Sequence, residues 1–69
     1  MKQQDIRSAI DEEKDVIYEG LVYKINAYIY RRITNPYNGN RNSIIQVELY
    51  RGNNSVIIAD PRKVELKEN

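Results

Sequence analysis

Neither histidine nor cysteine occurs among the 69 residues, so the side chains that most often act as general base, metal ligand or thiolate nucleophile are missing. The hydroxyls of Ser8, Ser43, Ser55 and Thr34 would each need an adjacent activating base, and only lysine or a carboxylate could serve. Paired-carboxylate hydrolysis needs two acids facing one cleft. Asp60 and Glu48, embedded in the later part of the chain, each read more simply as surface residues. The cluster Asp11, Glu12, Glu13 and Asp15 lacks the alternating spacing and glycine of a calcium loop, and is read as a solvated acidic face. Three isolated glycines form no phosphate cradle. The expectation is a binding domain rather than an enzyme, with no catalytic residues, no cofactor and no metal.

Tyrosine carries the remaining information: there are six, with no Phe and no Trp. Tyr18 and Tyr23 fall on or near core-facing positions, where the ring packs and the hydroxyl reaches the rim. Tyr28, Tyr30 and Tyr50 fall on the opposite strand face together with Lys24 and Arg32, while Tyr37 and Arg41 sit in a polar loop. Lys24, Tyr28, Tyr30, Arg32, Tyr37, Arg41 and Tyr50 therefore form the candidate binding surface. Exposed tyrosines with arginines suit a protein interface. They also suit a single-stranded nucleic acid, with rings stacking on bases and arginines on phosphate. A purely structural alternative is cross-strand pairing of Tyr28 or Tyr30 with Tyr50 or with an arginine stem.

These residues must be positioned by few elements, because a chain this short buries only about 60% of its unfolded surface and has no disulfide to supplement its core. Ile6, Ala9 and Ile10 recur at helical spacing and predict an amphipathic helix over 3–13, too short to persist unless its apolar stripe docks. From Asp15 onward the pattern alternates and β-branched and aromatic residues dominate, which predicts strands. The first ends at a Glu19-Gly20 turn. In the long second strand, Leu21, Tyr23, Ile25, Ala27, Ile29 and Ile33 are assigned to the core face, and Val22, Lys24, Asn26, Tyr28, Tyr30 and Arg32 to the other. Residues 34–43 collect turn-forming types and are expected to be a mobile polar loop that reverses at Asn38-Gly39. A third strand follows with Ile45, Val47 and Leu49 inward, then a Gly52-Asn53-Asn54 turn, a fourth strand over 55–59, a break at Asp60-Pro61-Arg62-Lys63, and a short last strand at Val64 and Leu66.

Two hairpins, a polar loop, and the proline turn before a short closing strand (Ala59-Asp60-Pro61-Arg62-Lys63-Val64-Glu65-Leu66) resemble the order of elements in an SH3-like barrel over residues 15–66. The fold expected is a single domain over 1–69, mainly β with one short N-terminal helix, curled into a five-stranded SH3-like small barrel. An OB-like barrel or an open antiparallel sheet is the alternative. In size, composition and its Asp5-Ile6-Arg7 opening the chain is also similar to short uncharacterised proteins of Gram-positive phages and mobile elements.

Charge adds a direction. The whole chain carries a net +1, yet residues 1–20 hold six acids against three bases, whereas residues 21–42 hold Lys24, Arg31, Arg32 and Arg41 and no acid. Residues 1–5 lack the apolar stretch of a secretory signal, and no run is long enough to span a bilayer, so a cytoplasmic location without membrane attachment is expected. The function expected is a small protein-interaction module whose partner is another protein or a second copy of itself. A nucleic-acid-binding domain using Tyr and Arg is the runner-up.

Overall fold

The computed structural model describes residues 1–52 and 55–68. Helix α1 (Gln3–Asp11) is followed by strands β1 (Asp15–Tyr18), β2 (Leu21–Thr34), β3 (Arg41–Tyr50) and β4 (Val56–Ala59), a 3-10 turn at Pro61–Lys63, and β5 (Glu65–Leu66). All strand pairings are antiparallel, in the order β4-β3-β2-β1-β5. The turn expected at Gly52-Asn53-Asn54 lies partly outside the described residues.

The sheet is open, which corrects the expectation of an SH3-like barrel and equally of an OB-like one. β4 and β5 stand at opposite edges and do not pair with each other. The physical reason is that α1 closes the core instead. Ile6 and Ala9 reach 1% and 0% exposure in a cluster with Val16, Ile25, Val47, Leu49, Ala59 and Val64. A sheet whose apolar face is roofed by a helix has no need to curl onto itself. Each fully buried Val, Leu or Ile side chain contributes on the order of 1.5–3 kcal/mol, and with six of these and two alanines the core is thin. β2 and β3 run on past this core as a two-stranded ribbon, and the molecule measures 46 × 26 × 20 Å.

The helix ends two residues before the expected boundary in a Schellman closure. The Lys14 amide donates to the Ala9 carbonyl at 3.0 Å, and the Glu13 amide to Ile10 at 3.4 Å. Glu13 takes the left-handed conformation this closure needs, at φ 52°. Glu19 and Gly20, at φ 50° and 78°, turn β1 into β2 with the doubly positive φ of a type I′ hairpin. The loop expected over 34–43 is shorter: β2 reaches Thr34 and β3 starts at Arg41, which leaves 35–40 as the reversal. Asn35 and Asn40 close the reversal, with the Asn35 amide donating to the Asn40 carbonyl at 2.8 Å. The side chains of Asn35 and Asn38 each accept from the amide two residues on.

The largest correction concerns the faces of β2. Ile25 pairs with Leu49 but Ala27 pairs with Glu48, so Asn26 is an extra residue that β3 does not match. A bulge of this kind reverses the side-chain alternation beyond it. Before the bulge, Tyr23 and Ile25 face α1, as expected. After it, Tyr28 and Tyr30 pair with Val47 and Ile45 on the helix side of the sheet, while Ala27, Ile29 and Ile33 pair with Glu48, Gln46 and Asn42 on the other side. Tyr28 packs against the core. Tyr30 lies farther along the ribbon, beyond the core, and remains 68% exposed.

Two stability measurements check this geometry. Tyr28→Ala is expected to cost more than about 1 kcal/mol in chemical denaturation and Tyr30→Ala less than about 0.5 kcal/mol; equal costs would contradict the reversed alternation. Glu13→Gly relieves a left-handed non-glycine residue, so its midpoint of denaturation should rise by the equivalent of up to about 1 kcal/mol.

Candidate functional site

The reversed alternation divides the residues expected to form one binding surface. Lys24 and Tyr50 remain together on the face away from α1, directly opposite one another in the β2–β3 ladder. Tyr28, Tyr30, Arg32 and Arg41 lie on the helix side instead, and Tyr37 sits at the tip of the ribbon with 96% exposure. Tyr18 and Tyr23 pack edge to face at 6.2 Å between centroids, at the rim of the core. Lys24 is engaged within the domain: its ammonium donates to the Glu13 carbonyl at 2.8 Å and pairs with Asp15 at 3.0 Å. Arg31, Arg32 and Arg41 form no ion pair among the described residues.

Two apolar surfaces on or beside the ribbon go beyond the expected set, which held only Tyr30 and Tyr50 of their residues. On the helix side, beyond the reach of α1, Tyr30 and Ile45 form an exposed cross-strand pair. On the far side, Val22, Tyr50, Val56, Ile58, Ile29, Ile44 and Ile33 occupy outward positions across β2, β3 and β4, interrupted by Lys24, Glu48, Gln46 and Arg31. Val56, Ile58 and Ile33 are each about half exposed. Among the described residues no layer covers this side. A sequence signal for it exists: three consecutive apolar residues in β4, Val56-Ile57-Ile58, and the adjacent Ile44-Ile45 in β3 break the alternation that a one-sided sheet requires.

The edges add hydrogen-bonding capacity to this apolar surface. β4 pairs only with Val47–Tyr50, so the outer edge of β3 from Arg41 to Gln46 is unpaired. β4 itself is an edge strand with neither charge nor proline within it. Such edges are templates for an added strand. Where β4 ends, an open groove of about 500 Å³ runs between Ser43–Gln46 and Ile58–Arg62. Its lining includes the start of the 3-10 turn, which Asp60 caps: the Asp60 carboxylate accepts from the Arg62 amide at 2.9 Å and from the Arg62 guanidinium at 2.7 and 3.1 Å. With Asp60 neutralised by Arg62, the groove holds no free acid and offers backbone groups and aliphatic surface.

Among the described residues no group of three acidic side chains could hold a metal ion, and no helix is long and apolar enough to cross a membrane. Glu12 pairs with Lys14 at 2.8 Å and accepts from Ser8 at 3.1 Å. Lys14 is the main cause, with Ser8 second, of a Glu12 carboxyl held below the ordinary glutamate range.

The Asp60 cap makes a pH prediction. Hydrogen bonds from the Arg62 guanidinium and then from the Arg62 amide lower the Asp60 carboxyl from the ordinary 3.8 to about 2. Because the folded value is the lower one, the stabilisation is complete above the ordinary value and is lost as pH falls through about 2. Carboxyl titration by NMR is expected to place the midpoint near 2, and Arg62→Ala to return it toward 3.8; a midpoint unmoved by that substitution would contradict the cap. Comparison of the chain with protein-family models, with curated proteins and with solved structures finds no match in any of the three.

Proposed function

We propose that this domain is a non-catalytic, cytoplasmic protein-interaction module that binds through the β2–β3 ribbon and the strand edges beside it. One observation carries the reading: the ribbon extends beyond the core with apolar side chains exposed on both faces, Tyr30 and Ile45 on one and Ile33 on the other. An isolated two-stranded ribbon is marginal in water, and aliphatic residues on its solvated faces make it worse. Docking against another protein removes that surface from water and supplies the missing layer. The absence of histidine and cysteine from the sequence supports binding over catalysis, and the absence of cysteine fits a reducing compartment.

A second reading has its own support. Arg31, Arg32 and Arg41 lie on the ribbon without acidic neighbours in sequence, the major groove of DNA admits a two-stranded ribbon, and Tyr30 and Tyr37 present stacking surfaces. Three arginines give a counterion-release slope of only about −3, well short of the six to ten contacts typical of strong binders. The protein reading is therefore preferred.

A photo-reactive residue placed at Ile33 or Ile45, with Arg7 on α1 as the control position, tests the preferred reading in extract of the source cell. Adducts from both ribbon positions, competed by unlabelled protein but not by the Ile33→Lys/Ile45→Lys variant, are expected. Equal labelling from Arg7, or no competed adduct, would overturn it. Salt-sensitive binding of DNA or RNA that Arg31→Ala and Arg32→Ala abolish would favour the second reading.

A further inference from the structure

We infer that the side of the sheet away from α1 is covered by the same side of a second copy of this chain, forming a symmetric face-to-face dimer. The inference rests on the reading of the domain as a protein-binding module and names the partner. The face is a ladder of rows read from the strand register. Arg31 lies opposite Ile44, Ile29 opposite Gln46, and Ala27 opposite Glu48, with Ile58 beyond it on β4. Ile33 and Tyr50 extend the face toward the tip and the base.

Its charges favour a second copy. Glu48 and Arg31 project from this face, and neither makes an ion pair among the described residues. They lie two rows to either side of a centre, the Ile29–Gln46 row being midway between them. At about 3.3 Å per residue, the Arg31 and Glu48 rows are some 13 Å apart along the sheet. A two-fold axis through the Ile29–Gln46 row, lying in the interface and across the strands, exchanges those two rows. Each Arg31 is then one strand away from the second copy's Glu48, across a sheet spacing of about 10 Å that long side chains bridge. Ile29 meets its own counterpart, and Ile44 meets the stem of the second copy's Glu48. An unrelated partner would have to supply this complementary pattern, whereas the chain contains it already. A two-fold interface demands such self-complementarity.

Area sets the strength of this interface. From the Ile33 row to the Lys24 row the face is about 30 Å long, and about 10 Å wide over the two strands, β2 and β3, that overlap about this axis. That outline is roughly 600 Å² for the pair, below the about 1,200 Å² of standard interfaces, so the dimer is a weak one. It also gives a core of eight residues a second apolar layer.

Sedimentation equilibrium of the full chain up to millimolar concentration tests this, with circular dichroism and amide NMR spectra verifying that each variant is folded. The wild type is expected to dimerise, and Ile44→Glu to weaken the dimer by at least about 30-fold. Tyr30→Glu, on the opposite face, should leave it unchanged. Arg31→Glu and Glu48→Arg should each be monomeric alone, through two like-charge contacts per dimer. Mixed in equal amounts they should form a heterodimer, because both contacts then become attractive. A monomeric wild type, an Ile44→Glu dimer as tight as wild type, or a mixture that stays monomeric overturns the inference. If the wild type is monomeric while Ile45 still gives competed adducts with another protein, the dimer falls and the interaction module stands.

Discussion

One unmatched residue, Asn26, governs which surfaces this protein buries and which it offers. Strand alternation is a strict period of two, so a single extra residue moves every later side chain of β2 to the opposite face. The consequence is asymmetric. At the base of the strand, Ile25 still enters the core beside Leu49, and three residues later Tyr28 enters it beside Val47. Without the bulge, Ile29 rather than Tyr28 or Tyr30 would face the helix side, and the ribbon would carry its isoleucines and tyrosines on exchanged faces.

The core that results is narrow and depends on α1. The helix has no side-chain N-cap and only nine residues, too few to persist alone, so its stability derives from docking Ile6 and Ala9 on the sheet. Its Schellman closure and the type I′ turn at Glu19-Gly20 direct the chain out of the helix and back along β2 within a few residues. The 3-10 turn, capped by Asp60, places Val64 into the same cluster and brings β5 to the far edge. Each of these is a local device, and together they gather all the buried apolar side chains at one end of an elongated molecule. The other end is a ribbon with no core of its own.

That separation is the physical basis of the interaction role proposed above. A ribbon that displays Tyr30, Ile33 and Ile45 while only half-burying Ile29 and Ile44 would gain from a partner that covers it. Charge follows the same division: the acidic N-terminal segment lies with the core, and three arginines that form no ion pair among the described residues lie on the ribbon. Among possible completions, a second copy uses the self-complementary placement of Arg31 and Glu48, and it is the only partner whose chemistry is fully written in this chain.

Much of the secondary structure was legible in the residues. Helical spacing of Ile6, Ala9 and Ile10, the turn chemistry of Glu19-Gly20 and the proline break at Pro61 are local properties, governed by neighbours within a few positions. Three things were not legible. Residues 34–43 look like loop because asparagine, proline and glycine favour turns, but cross-strand pairing extends the ladder to Thr34 and Arg41. Barrel closure looked economical because a sheet alone buries its face poorly; the docked helix removed that need. The candidate surface divided because a bulge is visible only when two strands are laid side by side, and the alternation of one strand cannot reveal a residue that its neighbour fails to match. By itself, then, the sequence determined the local elements and the lack of histidine and cysteine chemistry. Which side chains face solvent together was decided by strand register, a contact between residues far apart in the chain.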